Sequence, residues 1–138
     1  MFKQGILSVS RETTDRAVII TATGEVDILS VDRLRSEVVE GLREPVGHPV
    51  IVDLTKVTFL GSCGLGALVE AAGEALRHDE SLRVVVGHRR QVIRPLQITG
   101  LDQVLALYET VQDALVGKTR SPGPETLKLQ PPLDDLGA

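Results

Sequence analysis

PVIVDLTKVTFLGSCGLGALVEAAGEAL, Pro49 to Leu76, decides the architecture of this chain. Val50-Ile51-Val52-Asp53-Leu54 is a short apolar run between turn residues, the pattern of a central strand in a parallel sheet. A Gly-rich turn follows. Beyond it Leu65, Leu68, Val69, Ala72 and Leu76 recur at the spacing of one apolar helix stripe. The turn, expected over residues 58–62, presents two small nucleophilic side chains, Ser62 and Cys63, where the helix begins.

Toward the N-terminus, Ile6–Ser10 and Ala17–Ala22 read as strands rich in β-branched residues, joined as a hairpin by the polar link Arg11–Arg16. Gly24–Asp27 ends the second strand. A helix then follows, with Ser30 as its expected N-cap and Val31, Leu34, Val38 and Leu42 at helical spacing. Pro45, Gly47 and Pro49 break it. Toward the C-terminus, Leu82–Val86 is a further apolar strand and Gln91–Ile98 a helix. Pro95 lies near the first turn of that helix or kinks it, and Gly100 stops it. Val104–Tyr108 is a last short strand, and Thr110 with Asp113 forms a capping pair for a final helix through Leu115.

After the hairpin, strands alternate with helices, so the expected fold is α/β with crossover connections. The sheet is expected to be mixed and mostly parallel, of roughly four to five strands packed by about four helices. One domain over residues 1–116 accounts for this pattern. Residues 117–138 differ in kind: Pro122, Pro124, Pro131 and Pro132 interrupt a polar stretch, and a disordered tail is expected.

Composition narrows the function. Phe2, Phe59 and Tyr108 are the whole aromatic content, so the core is aliphatic and the composition argues against single-stranded nucleic-acid binding, which relies on aromatic stacking platforms. A net charge of -4 likewise argues against a nucleic-acid partner, because neutralising phosphates takes surplus Lys and Arg. The lone cysteine makes no internal disulfide. No signal peptide and no membrane-spanning apolar run is evident, which makes the cytoplasm the expected compartment and leaves no membrane partner.

Three blocks then carry a resemblance: GEVD at Gly24–Asp27, VIVDLTKVTFLGSCGLGAL at Val50–Leu68 and ITGLDQVLALYETVQDAL at Ile98–Leu115. In this order and spacing they resemble the STAS domain family, and within it the bacterial anti-sigma factor antagonists. The resemblance implies that the hydroxyl of Ser62 is phosphorylated by a serine kinase that doubles as the anti-sigma factor. The unphosphorylated antagonist would bind this kinase and free the sigma factor, phosphorylation would end the binding, and a metal-dependent serine phosphatase would restore it. Asp27 matches an acidic position near the acceptor. The implied partner-binding residues are Asp27, Thr58, Leu60, Gly61, Ser62, Cys63 and Gly64, together with the exposed side of the helix from Cys63 to His78. The family's usual acidic residue directly before the serine is replaced by Gly61. Glycine there also frees the turn to take a positive φ and lets another backbone approach closely.

Blander readings stand beside these. Ser62 alone reads as a plain N-cap. Cys63 at a helix start is either a reactive thiol of a redox sensor or a small filler. Asp27 and Asp53 read as strand-end residues pairing with backbone groups rather than as metal or acid–base residues. His48, His78 and His88 lack ligand spacing, and Arg89, Arg90 and Arg94 read as a solvated face. Gly61, Gly64 and Gly66 fit neither a P-loop nor a dinucleotide fingerprint. No cofactor, no metal and no catalytic constellation is expected. A phosphorylation-independent STAS scaffold is the alternative to the switch.

Overall fold

The computed structural model describes residues 6–44, 48–79 and 82–117. Five strands, β1 (Leu7–Thr13), β2 (Val18–Val26), β3 (Val50–Leu60), β4 (Leu82–Val85) and β5 (Ala106–Tyr108), lie side by side in the order of the sequence. β1 and β2 are antiparallel, and every other neighbouring pair is parallel. Four helices, α1 (Val31–Leu42), α2 (Ser62–Arg77), α3 (Arg90–Thr99) and α4 (Val111–Val116), follow β2, β3, β4 and β5 in turn.

Sequential strand order has a geometric consequence. Right-handed crossovers that all step the same way along a sheet put their helices on the same face. Accordingly α1, α2 and α3 send Leu34, Val38, Leu65, Leu68, Val92 and Leu96 into one core with Val18, Ile20, Val50, Val52, Leu54 and Val84. α4 covers the other face, where Ala114 packs with Ile51, Val85 and Tyr108. Alternation along β3 thus buries Val50, Val52 and Leu54 on one side and Ile51 on the other. Burying such an aliphatic side chain is worth about 1.5–3 kcal/mol relative to leaving it exposed.

Several expectations held. Val31, Leu34, Val38 and Leu42 are the buried stripe of α1. Gly100 ends α3 in the left-handed region at φ 78°, and the Thr110 side chain accepts the Asp113 N–H at the start of α4. Pro95 sits inside α3, past its first turn.

Other expectations need correction. β3 does not stop at Leu54 but runs to Leu60, so Thr58 is a strand residue and the turn shrinks to the single residue Gly61 between β3 and α2. The extension is held by pairing to β2, with Gly24 opposite Val57 and Val26 opposite Leu60. The hairpin is tighter than expected, its turn closed by Thr14 N–H donating to Ala17 O at 2.9 Å. β5 starts only at Ala106. In α2, the buried side is made of Gly64, Leu65, Ala67, Leu68 and Ala75. Val69 is exposed, and Leu76 is 75% exposed. The tail beyond Gly117 lies outside the described residues. Among those described, no helix is long and apolar enough to cross a membrane.

Candidate functional site

The site forms where β2 and β3 end side by side and α1 and α2 begin. In parallel α/β sheets the carboxyl ends of the strands are the usual edge for ligands and partners, because the loops into the helices gather there. Val26 pairs with Leu60, and the Gly61 N–H donates to Val26 O at 2.9 Å. Asp27 and Ser62 are the next residues of their respective chains beyond that bond.

Gly61, not Ser62, is the N-cap of α2. Its φ of -83° and ψ of 178° are ordinary extended backbone, so the positive φ expected for this glycine is not used. What confines it is space: a Cβ here would stand 3.1 Å from Phe59 Cε2 and 3.5 Å from Val26 O. An aromatic edge thus lies where an acidic side chain would begin. Ser62 is the first residue inside the helix and is exposed. Its hydroxyl takes no part in the side-chain hydrogen bonds of the described residues, so the plain N-cap reading of Ser62 does not hold. Helix N-termini carry free N–H groups and a partial positive charge, which suits an anion.

Behind Ser62 the first turn of α2 is pressed against the sheet. A Cβ on Gly64 would meet Leu60 Cδ1 at 2.7 Å and Val26 Cγ1 at 2.8 Å, and both of those residues are buried. Glycine is therefore what lets α2 come this close to the ends of β2 and β3. Leu60 faces inward as part of the core, and Cys63 is half-buried against the same core as a free thiol. Thr58 is exposed, its hydroxyl donating to Gly24 O at 3.3 Å. Of the residues expected to meet a partner, Thr58, Ser62 and the half-buried Asp27, Gly61 and Cys63 reach the surface; Leu60 and Gly64 lie beneath it.

Asp27 is engaged as a cap. Its Oδ1 accepts the Leu29 N–H at 3.0 Å and the Ser30 N–H at 3.1 Å. Its carbonyl accepts the Val31 N–H at 2.8 Å. Ser30, 2% exposed, answers it: Ser30 Oγ accepts the Asp27 N–H at 3.0 Å, and its one proton faces Glu25 O at 2.7 Å and Asp27 Oδ1 at 3.0 Å. This is the reciprocal logic of a capping box, set one turn earlier than expected. Ser30 makes no cap bond to α1. Between the two partners, Ile28 and Leu29 stand 78% and 79% exposed.

Sequence reasoning took in Phe59 only as part of the 58–62 turn and did not single out Ile28, Leu29 or Ser30 as site residues. An Asp followed three residues later by Ser was a legible signal of the cap. Two aliphatic residues enclosed by that pair were a legible signal of an outward apolar turn.

The remaining candidates lie elsewhere. Asp53 Oδ1 accepts from Thr55 N–H at 2.9 Å and from its hydroxyl at 2.7 Å, so the expected pairing with a backbone group is present, but Asp53 lies inside β3 rather than at a strand end. Arg89 Nε donates to Thr55 O at 2.6 Å, while Arg90 and Arg94 face solvent. His78 pairs with Glu74 and His88 with Glu109. Among the described residues no three His, Cys, Asp or Glu side chains converge as metal ligands would.

The STAS domain model matches residues 8–114. The chain belongs to the STAS domain family. A Mycobacterium tuberculosis protein bearing the name anti-anti-sigma factor is 36% identical over 121 residues, 83% of this chain and 80% of its own. The anti-sigma-F factor antagonist RsfB of M. tuberculosis is 32% identical over 101 residues, covering 72% of this chain and 79% of its own. Among solved structures, an anti-sigma factor antagonist from Mycobacterium paratuberculosis is similar with a TM-score of 0.75 at 27% identity, over 85% of this chain and 97% of that one.

Proposed function

We propose that this protein is an anti-sigma factor antagonist that binds a serine-kinase anti-sigma factor when Ser62 is unmodified, so releasing a sigma factor. Phosphorylation of Ser62 switches it off. The observation that carries the reading is the exposed, unengaged hydroxyl of Ser62 at the first position of α2, beside Asp27 on the edge where β2 and β3 end. Relatives that carry the antagonist name support it.

The chemistry is a phosphoryl transfer from ATP. Ser62 Oγ bonds to the γ-phosphorus, the bond from that phosphorus to the bridging oxygen breaks, ADP leaves, and the hydroxyl proton passes to a base of the kinase or to water. A metal-dependent serine phosphatase would hydrolyse the ester and restore the hydroxyl. The product carries about -1.5 to -2 charge at neutral pH. In the free domain that charge sits at a helix N-terminus and is tolerated. In a docked interface it is desolvated without a partner, at roughly 3–5 kcal/mol by analogy with a broken buried ion pair. A loss of about 4 kcal/mol weakens binding on the order of a thousandfold.

The test is a pull-down from the source organism's lysate with wild type and Ser62→Asp as baits, bound proteins being identified by mass spectrometry. A kinase-type anti-sigma factor retained by wild type and lost by the variant is the expected outcome. Identical retention by both baits excludes Ser62 as the control point and leaves the phosphorylation-independent scaffold.

A further inference from the structure

The sheet has two edges, β1 and β5, and they are finished differently. An edge strand presents unpaired N–H and C=O groups to any other strand, a hazard that proteins blunt with shortness, a bulge, lysine or proline. β5 is blunted by its length of three residues. β1 has seven, contains neither lysine nor proline, and pairs with β2 in one unbroken register. Among the described residues nothing pairs with its outer edge.

The direction of its main-chain groups follows from the bonds at its two ends. Ile6 O accepts the Glu25 N–H at 3.1 Å, and the Thr14 N–H donates to Ala17 O at 2.9 Å. Residues that face the partner strand alternate with residues that face away along an antiparallel pair. Ser8, Ser10 and Glu12 therefore direct their groups to β2, and Leu7, Val9, Arg11 and Thr13 turn theirs outward. Side chains alternate as well. Leu7 and Val9 pack on the core, and Arg11 is drawn toward α1 by Glu37 at 2.8 Å and Glu44 at 3.9 Å. Ser8, Ser10 and Glu12 stand exposed. A row of free donors and acceptors of this kind is satisfied in full by an extended strand.

The row also fits itself. When β1 is laid antiparallel against a second β1 with Ser10 on the two-fold axis, Leu7 faces Thr13, Ser8 faces Glu12 and Val9 faces Arg11 of the other copy. Every residue of the strand is paired in this register, and no like charges stand directly opposite each other. The neighbouring registers are worse. An axis at Arg11 sets two arginines face to face, and an axis at Val9 leaves Thr13 beyond the end of the facing strand.

We propose that the outer edge of β1 takes a second copy of this chain, the two sheets joining into one continuous sheet about a two-fold axis at Ser10. Side chains opposite each other in an antiparallel pair share a face, so α1, α2 and α3 of both copies lie on one side of the joined sheet and α4 on the other. β2 and β3 run in opposite senses in the two copies. Their ends, each with its Ser62, therefore point to opposite ends of the assembly, and one can be engaged without blocking the other. The pairing does not depend on the antagonist reading of Ser62; it adds that the unit offered to an anti-sigma factor carries two acceptors.

The experiment is sedimentation equilibrium of the full-length chain from ~5 to ~200 μM, where a monomer–dimer equilibrium is expected. Ser10→Lys sets two ammonium groups face to face across the axis. It is expected to weaken the dimer by roughly fivefold or more, with the unfolding midpoint of a dilute, monomeric sample unchanged. Cysteines then read the register, in a Cys63→Ser background oxidised with glutathione disulfide. Ser10 falls at a non-hydrogen-bonded pair of the new ladder, where Cα atoms stand about 4.5 Å apart, within disulfide range. Ser10→Cys is expected to link into a covalent dimer, and Ser8→Cys, which faces Glu12, is not. A chain that stays monomeric at ~200 μM overturns the proposal and leaves the edge to a strand of another protein. A dimer that Ser10→Lys leaves intact overturns it too, as does one that links through Ser8→Cys as readily as through Ser10→Cys.

Discussion

Asp27 and Ser30 hold each other across the entry to α1: the Asp27 N–H donates to Ser30 Oγ at 3.0 Å, and the Ser30 N–H donates to Asp27 Oδ1 at 3.1 Å. Asp27, matched by resemblance to an acidic position near the proposed acceptor Ser62, is thereby first a structural cap. Its two roles separate by substitution. Asp27→Ala removes the acceptor and is expected to lower stability by about 0.5–2 kcal/mol in urea unfolding. Asp27→Asn keeps an oxygen acceptor, so it should unfold near wild type. If the carboxylate charge also serves phosphoryl transfer, Asn slows phosphate incorporation at unchanged stability; equal loss of stability in both variants would remove the cap argument.

Gly64 is held by the core. Gly64→Ala places a methyl 2.7 Å from Leu60 Cδ1 and 2.8 Å from Val26 Cγ1, both on buried side chains. Overpacking of this kind costs about 1–3 kcal/mol. Denaturant unfolding should show that loss. Partner affinity should fall as well, because the displaced first turn of α2 carries Ser62.

Gly61→Asp restores the acidic residue usual before the serine. An Asp at an N-cap gains a few tenths of a kcal/mol over Gly, while its Cβ pushes on the Phe59 ring. That ring is half exposed and can swing outward, so the net change in stability is expected within about 0.5 kcal/mol. In a double-mutant cycle with Phe59→Ala, the Asp should be more favourable once the ring is gone. A coupling indistinguishable from zero would show that the ring does not constrain this position.

Ser62→Asp should leave the domain as stable as wild type or slightly firmer. A carboxylate in the first turn of a helix contributes about 0.3–1 kcal/mol through the free N–H groups. Circular dichroism melts check this directly. A clear drop in midpoint would mean that loss of binding by the same variant reports unfolding rather than a switch.

Much of this was legible from residue order. Val50–Leu54 and the Val31, Leu34, Val38, Leu42 stripe are dense in aliphatic residues at a clean period, and each became what its pattern promised. The Gly-rich turn ahead of the next apolar stripe placed Ser62 at the start of α2. The misreadings share a physical cause. Thr55 to Phe59 is polar and mixed, and only its pairing to β2 makes it strand. In α2 the buried side is lined by Ala67, Ala75 and Gly64, small residues that carry little hydrophobic signal, while Val69 and Leu76 carry more of it and face out. The cap at Asp27 was hidden because Ser30 is itself a good capping residue, one turn late.

The tight seat of α2 on the strand ends has a consequence for what the proposed phosphorylation of Ser62 would say. Gly64 seats the first turn of α2 directly on Leu60 and Val26, so Ser62 stands on a closely packed support. A mark on Ser62 is written like ink on a fixed plate: it changes what the surface is, not where it is. Only a molecule touching that edge can read it. One bound to the opposite side of the sheet, over α4, would stay in place through every cycle of modification, so this small domain could carry one conditional companion and one permanent companion at once.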